Sequence, residues 1–163
     1  MDITQLLSPS GVVADLAVAS KKQALVELAR IAAPLVAEPG AMETAPPEDR
    51  EIFEVLLERE RLGTTGVGSG IAIPHGKLRG LTRLTGLFAR LGKPVDFESI
   101  DDQPVDLVFV LLAPEAAGAD HLKALAKVSR LLRDKAICER LRRAPDSHKL
   151  FSILTESPSA LIA

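Results

Sequence analysis

Residues 59–76 read Arg59-Glu60-Arg61-Leu62-Gly63-Thr64-Thr65-Gly66-Val67-Gly68-Ser69-Gly70-Ile71-Ala72-Ile73-Pro74-His75-Gly76, and the rest of the chain is organised around this stretch. Gly63, Gly66, Gly68 and Gly70 fall within eight residues, so the backbone there reaches φ > 0 conformations that other side chains forbid. Such a loop turns several N–H groups toward one point, a concavity suited to an anion. Ile71-Ala72-Ile73 is long enough for a brief buried strand, and Pro74 stops it by fixing φ and removing a donor. His75 is the first side chain after that stop, and Gly76 leaves room around it. A histidine presented at a strand end, beside an anion cradle, points to phosphoryl chemistry.

Upstream, the pattern predicts a helix from about Pro47 to Leu62 that leads into the glycine loop. Glu48 and Asp49 in its first turn and Arg59 and Arg61 in its last suit the helix dipole, and Gly63 is a good stop. Before it come one helical turn within residues 2–8 and a short strand from Gly11 to Leu16. A helix then starts at Ser20, with Leu25, Leu28, Ala32 and Leu35 on one stripe, and ends at Pro39-Gly40. Downstream, Lys77-Leu78-Arg79-Gly80 reads as a polar link, and Leu84 to Leu91 as a strand closed by Gly92-Lys93-Pro94. Phe97 to Gln103 reads as mostly loop. The apolar run Asp106 to Leu112, bounded by Pro104 and Pro114, favours a central buried strand. Helices follow from Asp120 to Arg133, from Ala136 to Arg143, and from a cap at Pro145-Asp146-Ser147 to about Thr155. The expected fold is one α/β domain over residues 1–163, a three-layer arrangement with a mixed sheet of about five strands flanked by helices on both faces.

Composition bounds the function. The chain has 163 residues, of which 47% are hydrophobic, enough for a real core in one domain. Five Phe and no Trp or Tyr leave the interior to Leu, Ile, Val and Ala. A formal net charge of −2 with mixed signs argues against a nucleic-acid grip, which needs a concentrated basic face. Cys138, the only cysteine, rules out an internal disulfide and fits a reducing compartment. The start Met-Asp-Ile-Thr is unlike a signal peptide, and no apolar run approaches a membrane span. A cytoplasmic protein without membrane insertion is expected.

Two nucleotide-binding motifs come near the glycine run and fail on context. Gly63 and Gly68 have the Walker A spacing, but Ser69 stands where lysine is required. A dinucleotide fingerprint needs a strand before the glycines and a helix after them, whereas here the order is reversed. What the stretch does resemble, through Thr64-Thr65-Gly66-x-Gly68-x-Gly70-Ile71-Ala72-Ile73-Pro74-His75, is the enzyme IIA domain of the mannitol/fructose class of the bacterial phosphotransferase system. Ser20 to Leu25, Asp101 to Leu107 and His121 to Leu125 look like the same family, so the likeness covers nearly the whole chain. Asp134 to Cys138, and the lack of fused permease segments, are most similar to the stand-alone nitrogen-related branch. Thr64 replaces a frequent Ser, and Ser69 a frequent Asn.

The resemblance implies that His75 accepts a phosphoryl group from the phosphohistidine of an HPr-like carrier, with no cofactor and no metal. For the nitrogen-related branch it implies regulatory protein targets, such as potassium transport or sensor kinases. The alternative output is a fructose/mannitol-type sugar uptake system, with phosphate passed to an enzyme IIB. His121 matches the family's second active-site histidine and would stabilise the phosphate. Arg59 would contribute a guanidinium fork, Thr65 a hydroxyl, and Gly66, Gly68 and Gly70 their backbone N–H groups. Plainer readings stand beside these. Arg59 could simply complement the helix dipole, His121 could be a first-turn helix residue, and Thr65 an ordinary loop hydroxyl. His148 reads as surface and Cys138 as core. A zinc site on His75 and His121 lacks a third and fourth ligand.

Overall fold

A computed structural model describes residues 2–156. Its central strand arises where the sequence is most continuously apolar: β6 (Val105–Pro114) has buried residues from Leu107 to Ala113. Successive side chains of β6 point to opposite layers, as a strand requires. Leu107, Phe109 and Leu111 enter one core, while Val108, Val110 and Leu112 enter the other. Both faces are therefore covered, which is why the run shows no polar alternation.

β6 pairs antiparallel with β5 (Thr85–Val95), and β5 pairs parallel with β1 (Val12–Leu16). The other edge of β6 carries β3 (Ile71–Ala72) and, in the same register, β4 (His75–Leu78). Ile73-Pro74 interrupts this row, but the Pro74 carbonyl still accepts from the Leu111 N–H at 3.0 Å. β2 (Gly66–Gly68) pairs antiparallel with β3, giving a six-stranded mixed sheet. Since β3 and β4 form one interrupted row, the expectation of about five strands describes the same layer.

One face of the sheet is covered by α1 (Lys21–Val36) and α2 (Asp49–Leu62), which bury Leu25, Leu28, Ile52 and Leu56. The other is covered by α3 (Ala119–Arg133), α4 (Lys135–Arg143) and α5 (Ser147–Leu154), with Val128, Leu132, Ile137, Leu141 and Leu150 inside. Phe88 and Phe109 meet edge to face at 6.5 Å in that second core; each buried ring contributes about 1.5–3 kcal/mol. Among the described residues, no helix is long and apolar enough to cross a membrane.

Three local expectations are corrected. Lys77 and Leu78 belong to strand β4 and are no link, because β6 offers a free edge to pair with. β5 runs through Gly92-Lys93-Pro94 to Val95, with an irregular register between Arg90 and Val95. Gly66 to Gly68 form a strand of a tight hairpin rather than an open loop. Its turn residues Ser69 and Gly70 have φ of +58° and +81°, the doubly left-handed turn that suits hairpin twist and favours glycine.

Candidate active site

His75 opens β4 at the point where Pro74 has broken the row. Its Nδ1 lies 2.8 Å from the Ile73 carbonyl, which can only accept. The proton is thereby assigned to Nδ1, and Nε2 is left with its lone pair. Arg59 Nε donates to that Nε2 at 3.1 Å, consistent with this tautomer. The same guanidinium donates through Nη1 to the Gly63 carbonyl at 2.9 Å, so Arg59 closes the end of α2 as well as facing His75. Burial and the positive charge of Arg59 push the His75 pKa down, opposed by the Ile73 hydrogen bond and by Glu60. A depressed pKa keeps the ring neutral near pH 7, the state in which imidazole is a nucleophile.

His121, in the first turn of α3, places its ring 5.7 Å from that of His75, nearly edge to face. The residue is buried, and its Nε2 has no hydrogen-bond partner among the described residues. Leaving a buried polar atom unpaired costs about 1–3 kcal/mol, a cost that a group bound beside His75 would relieve. Burial, then the neighbouring His75 and Lys77, push its pKa down too. Arg59, His75 and His121 line one open cavity of about 560 Å³, together with Arg61, Leu62 and Lys77. Leu62, at its rim, is 85% exposed.

Gly76 sets how closely α2 approaches this point. A Cβ there would lie 2.4 Å from Val55 Cγ1, and Val55 is four residues before Arg59, on the same helix face. The missing side chain therefore lets α2 bring its guanidinium to the imidazole.

The remaining expected residues are placed differently. Thr65 is buried and gives its hydroxyl to Glu60 Oε2 at 2.5 Å, so this oxygen does not face the histidines as a free ligand. Several amide donors of this segment are taken by the protein itself. Thr65 N–H goes to Glu60, Gly66 N–H to the Thr64 hydroxyl, and Ser69 N–H to Asp101. Gly68 borders a second cavity of about 540 Å³, lined by α3 and α4 residues such as Leu132, Cys138 and Arg142 and by none of the three site residues. A Cβ at Gly70 would meet Arg142 and Asp106. The glycine segment thus lies in a hairpin held by internal carboxylates, and of the expected site residues Arg59, His75 and His121 share one cavity. Cys138 is buried in the second core as expected.

Glu60 was not singled out from sequence, although a signal existed. Ile52, Leu56 and Glu60 are spaced four apart on α2, and all three are buried. A carboxylate that continues an apolar stripe must have a buried partner.

A family model described as "Phosphoenolpyruvate-dependent sugar phosphotransferase system, EIIA 2" matches residues 5–157. The chain is 55% identical over 159 residues to a nitrogen regulatory protein of Bradyrhizobium diazoefficiens, covering 98% of each. It is 41% identical over 110 residues to a fructose-specific EIIA component of Haloferax volcanii, covering 67% of this chain and 71% of that one. Among solved structures, the nitrogen regulatory protein IIA-Ntr from Neisseria meningitidis superposes with a TM-score of 0.83 at 37% identity, covering 94% of this chain and 99% of that one. With the fold and these likenesses in agreement, the chain belongs to the EIIA 2 family of the phosphoenolpyruvate-dependent sugar phosphotransferase system.

Proposed function

We propose that this protein is a phosphoryl carrier that accepts phosphate on Nε2 of His75 from the phosphohistidine of an HPr-like protein. The observation that carries this reading is the fixed tautomer: Nδ1–H held by the Ile73 carbonyl, Nε2 unprotonated and facing Arg59. In the transfer, the Nε2 lone pair forms the new N–P bond as the donor's N–P bond breaks and returns its pair to the donor ring. His75 keeps its Nδ1 proton throughout, so no separate base is needed. Arg59 exchanges its bond to Nε2 for the phosphoryl oxygens, because that lone pair is now used. His121, with an otherwise unpaired Nε2 beside the acceptor, supplies a second polar contact. Catalysis by positioning and charge neutralisation suits a transition state whose negative charge is spread over the phosphoryl oxygens.

The output we assign is regulatory, through protein targets chosen by phosphorylation state, because the relative matched over 98% of both chains is a nitrogen regulatory protein. The likeness to a fructose-specific EIIA component supports a second reading, in which phosphate passes on to an enzyme IIB for sugar uptake. Incubation with phosphoenolpyruvate, enzyme I and each purified carrier, followed by mixing with candidate IIB domains, tests both. Stable phosphoprotein that no IIB discharges supports the regulatory output; rapid discharge by a sugar-specific IIB supports the second.

A further inference from the structure

Glu60 follows Arg59 near the end of α2 but turns inward, with its side chain only 3% exposed. Its carboxylate is fully engaged. Oε1 accepts from the Thr65 N–H at 3.0 Å and from Lys21 Nζ at 3.2 Å. Oε2 accepts from the same N–H at 3.2 Å and from the Thr65 hydroxyl at 2.5 Å. Thr65 is thus clamped through both its amide and its hydroxyl. Its carbonyl accepts from the Ile73 N–H at 3.0 Å, and the Ile73 carbonyl accepts from His75 Nδ1 at 2.8 Å. Hydrogen bonds joined through the backbones of Thr65 and Ile73 link a buried carboxylate to the imidazole.

A buried carboxylate is costly to desolvate, even when paired with a lysine. A neutral hairpin anchor would avoid that cost, so the charge needs another reason. Charge-assisted bonds hold their partners more tightly than neutral ones. The negative charge also opposes the effects of burial and Arg59 on the ring.

We propose that Glu60 is a positioning residue for phosphoryl transfer: through the backbone of Thr65 and Ile73 it fixes the carbonyl that holds His75 as the Nδ1–H tautomer. The proposal rests on His75 being the acceptor. Glu60 touches neither ring, and its effect passes through the β2–β3 hairpin. The charged or titratable groups around the His75 ring are Glu58, Arg59, Glu60 and Arg61 from α2, Lys77 from β4 and His121 from α3.

The test is Glu60→Gln, with Thr65→Val and Thr65→Ser as companions. In either orientation a Gln amide sets an N–H₂ group against a donor of Thr65 or Lys21, so the clamp loosens. Ring ¹⁵N spectra should show His75 as Nδ1–H in the wild type and as a mixture of tautomers in Glu60→Gln. The His75 pKa should fall further, since the nearby positive groups remain. Phosphate acceptance from a phosphorylated HPr-type carrier should slow roughly 10- to 100-fold, as for a small misplacement of a reacting group. Thr65→Val, which leaves the Glu60 charge in place, should move the tautomer mixture and the rate in the same direction, and Thr65→Ser, which keeps the hydroxyl, should match the wild type in both. Folded Glu60→Gln with wild-type tautomer, pKa and rate overturns the proposal. If that variant does not fold, unchanged spectra and rate in Thr65→Val overturn it instead. Phosphate on another residue of the wild-type protein removes the acceptor reading and this role with it, a result read by peptide mass and independent of the ring spectra.

Discussion

At the scale of single residues, the proposed function separates a nucleophile, His75, from its electrostatic support. His75 Nε2 has its lone pair directed at Arg59, and His121 Nε2 lies buried without a partner among the described residues. Arg59→Lys should accept phosphate at least 10-fold more slowly than wild type, because an ammonium cannot make the two parallel contacts of a guanidinium. If Arg59 only closed the helix, Lys would transfer normally and Ala would lose just about 0.3–1 kcal/mol of stability. Stopped-flow transfer rates and melting temperatures for both variants separate the two roles. His121→Ala should weaken transfer or phosphate retention by roughly 10- to 1000-fold without gaining or losing an acceptor. The pH dependence has a definite sign. Burial and Arg59 lower the His75 pKa below the ordinary imidazole value of 6.5. Acceptance should therefore hold steady through pH 7 and decline only as acid protonates Nε2 below that value. A decline already complete at pH 7, measured with pre-phosphorylated carrier, would contradict the fixed neutral ring.

Among the elements, the decisive contact is α2 against β4, with Gly76 under Val55. Gly76→Ala should push α2 outward, cost about 1–3 kcal/mol as overpacking does, and slow transfer by moving Arg59 off His75. Urea midpoints and transfer rates should fall together; a stable variant with normal transfer would show that the close approach is unimportant. This packing also explains what was legible in the sequence. Long periodic segments declared themselves: Leu25, Leu28 and Leu35 for α1, and the unbroken run Leu107–Leu112 for β6. His75, Arg59 and His121 were found because a motif carried them. Strand β4 was hidden, since His75-Gly76-Lys77-Leu78 contains one buried residue and owes its conformation to the β6 edge. The glycine segment misled because glycine permits both a nest and a hairpin turn. Asp101 and Glu60, distant or unremarked in sequence, take the amides of Ser69 and Thr65 within that segment.

For the whole molecule, the half-buried His75 and the buried His121 link the site to folding. Both pKa values are lowered by burial, so the unfolded chain binds protons that the folded one resists. Their effect is absent above the ordinary value of 6.5 and appears as pH falls below it, where the folded state should lose stability. Denaturant midpoints between pH 8 and pH 5 should show this loss, reduced in a His75→Ala, His121→Ala double variant. The three layers otherwise enclose a sheet whose interrupted edge presents one imidazole beside an exposed Leu62, a surface suited to a protein donor. Transfer between two histidines joins chemically similar groups and should run in both directions. The most direct measurement incubates the protein with phosphoenolpyruvate, enzyme I and an HPr-type carrier, then locates the acid-labile phosphate by peptide mass analysis. It should lie on His75 alone, return to added unphosphorylated carrier, and be absent from His75→Ala. Phosphate that persists in His75→Ala, or efficient labelling of His75 by ATP without the carriers, would contradict the account.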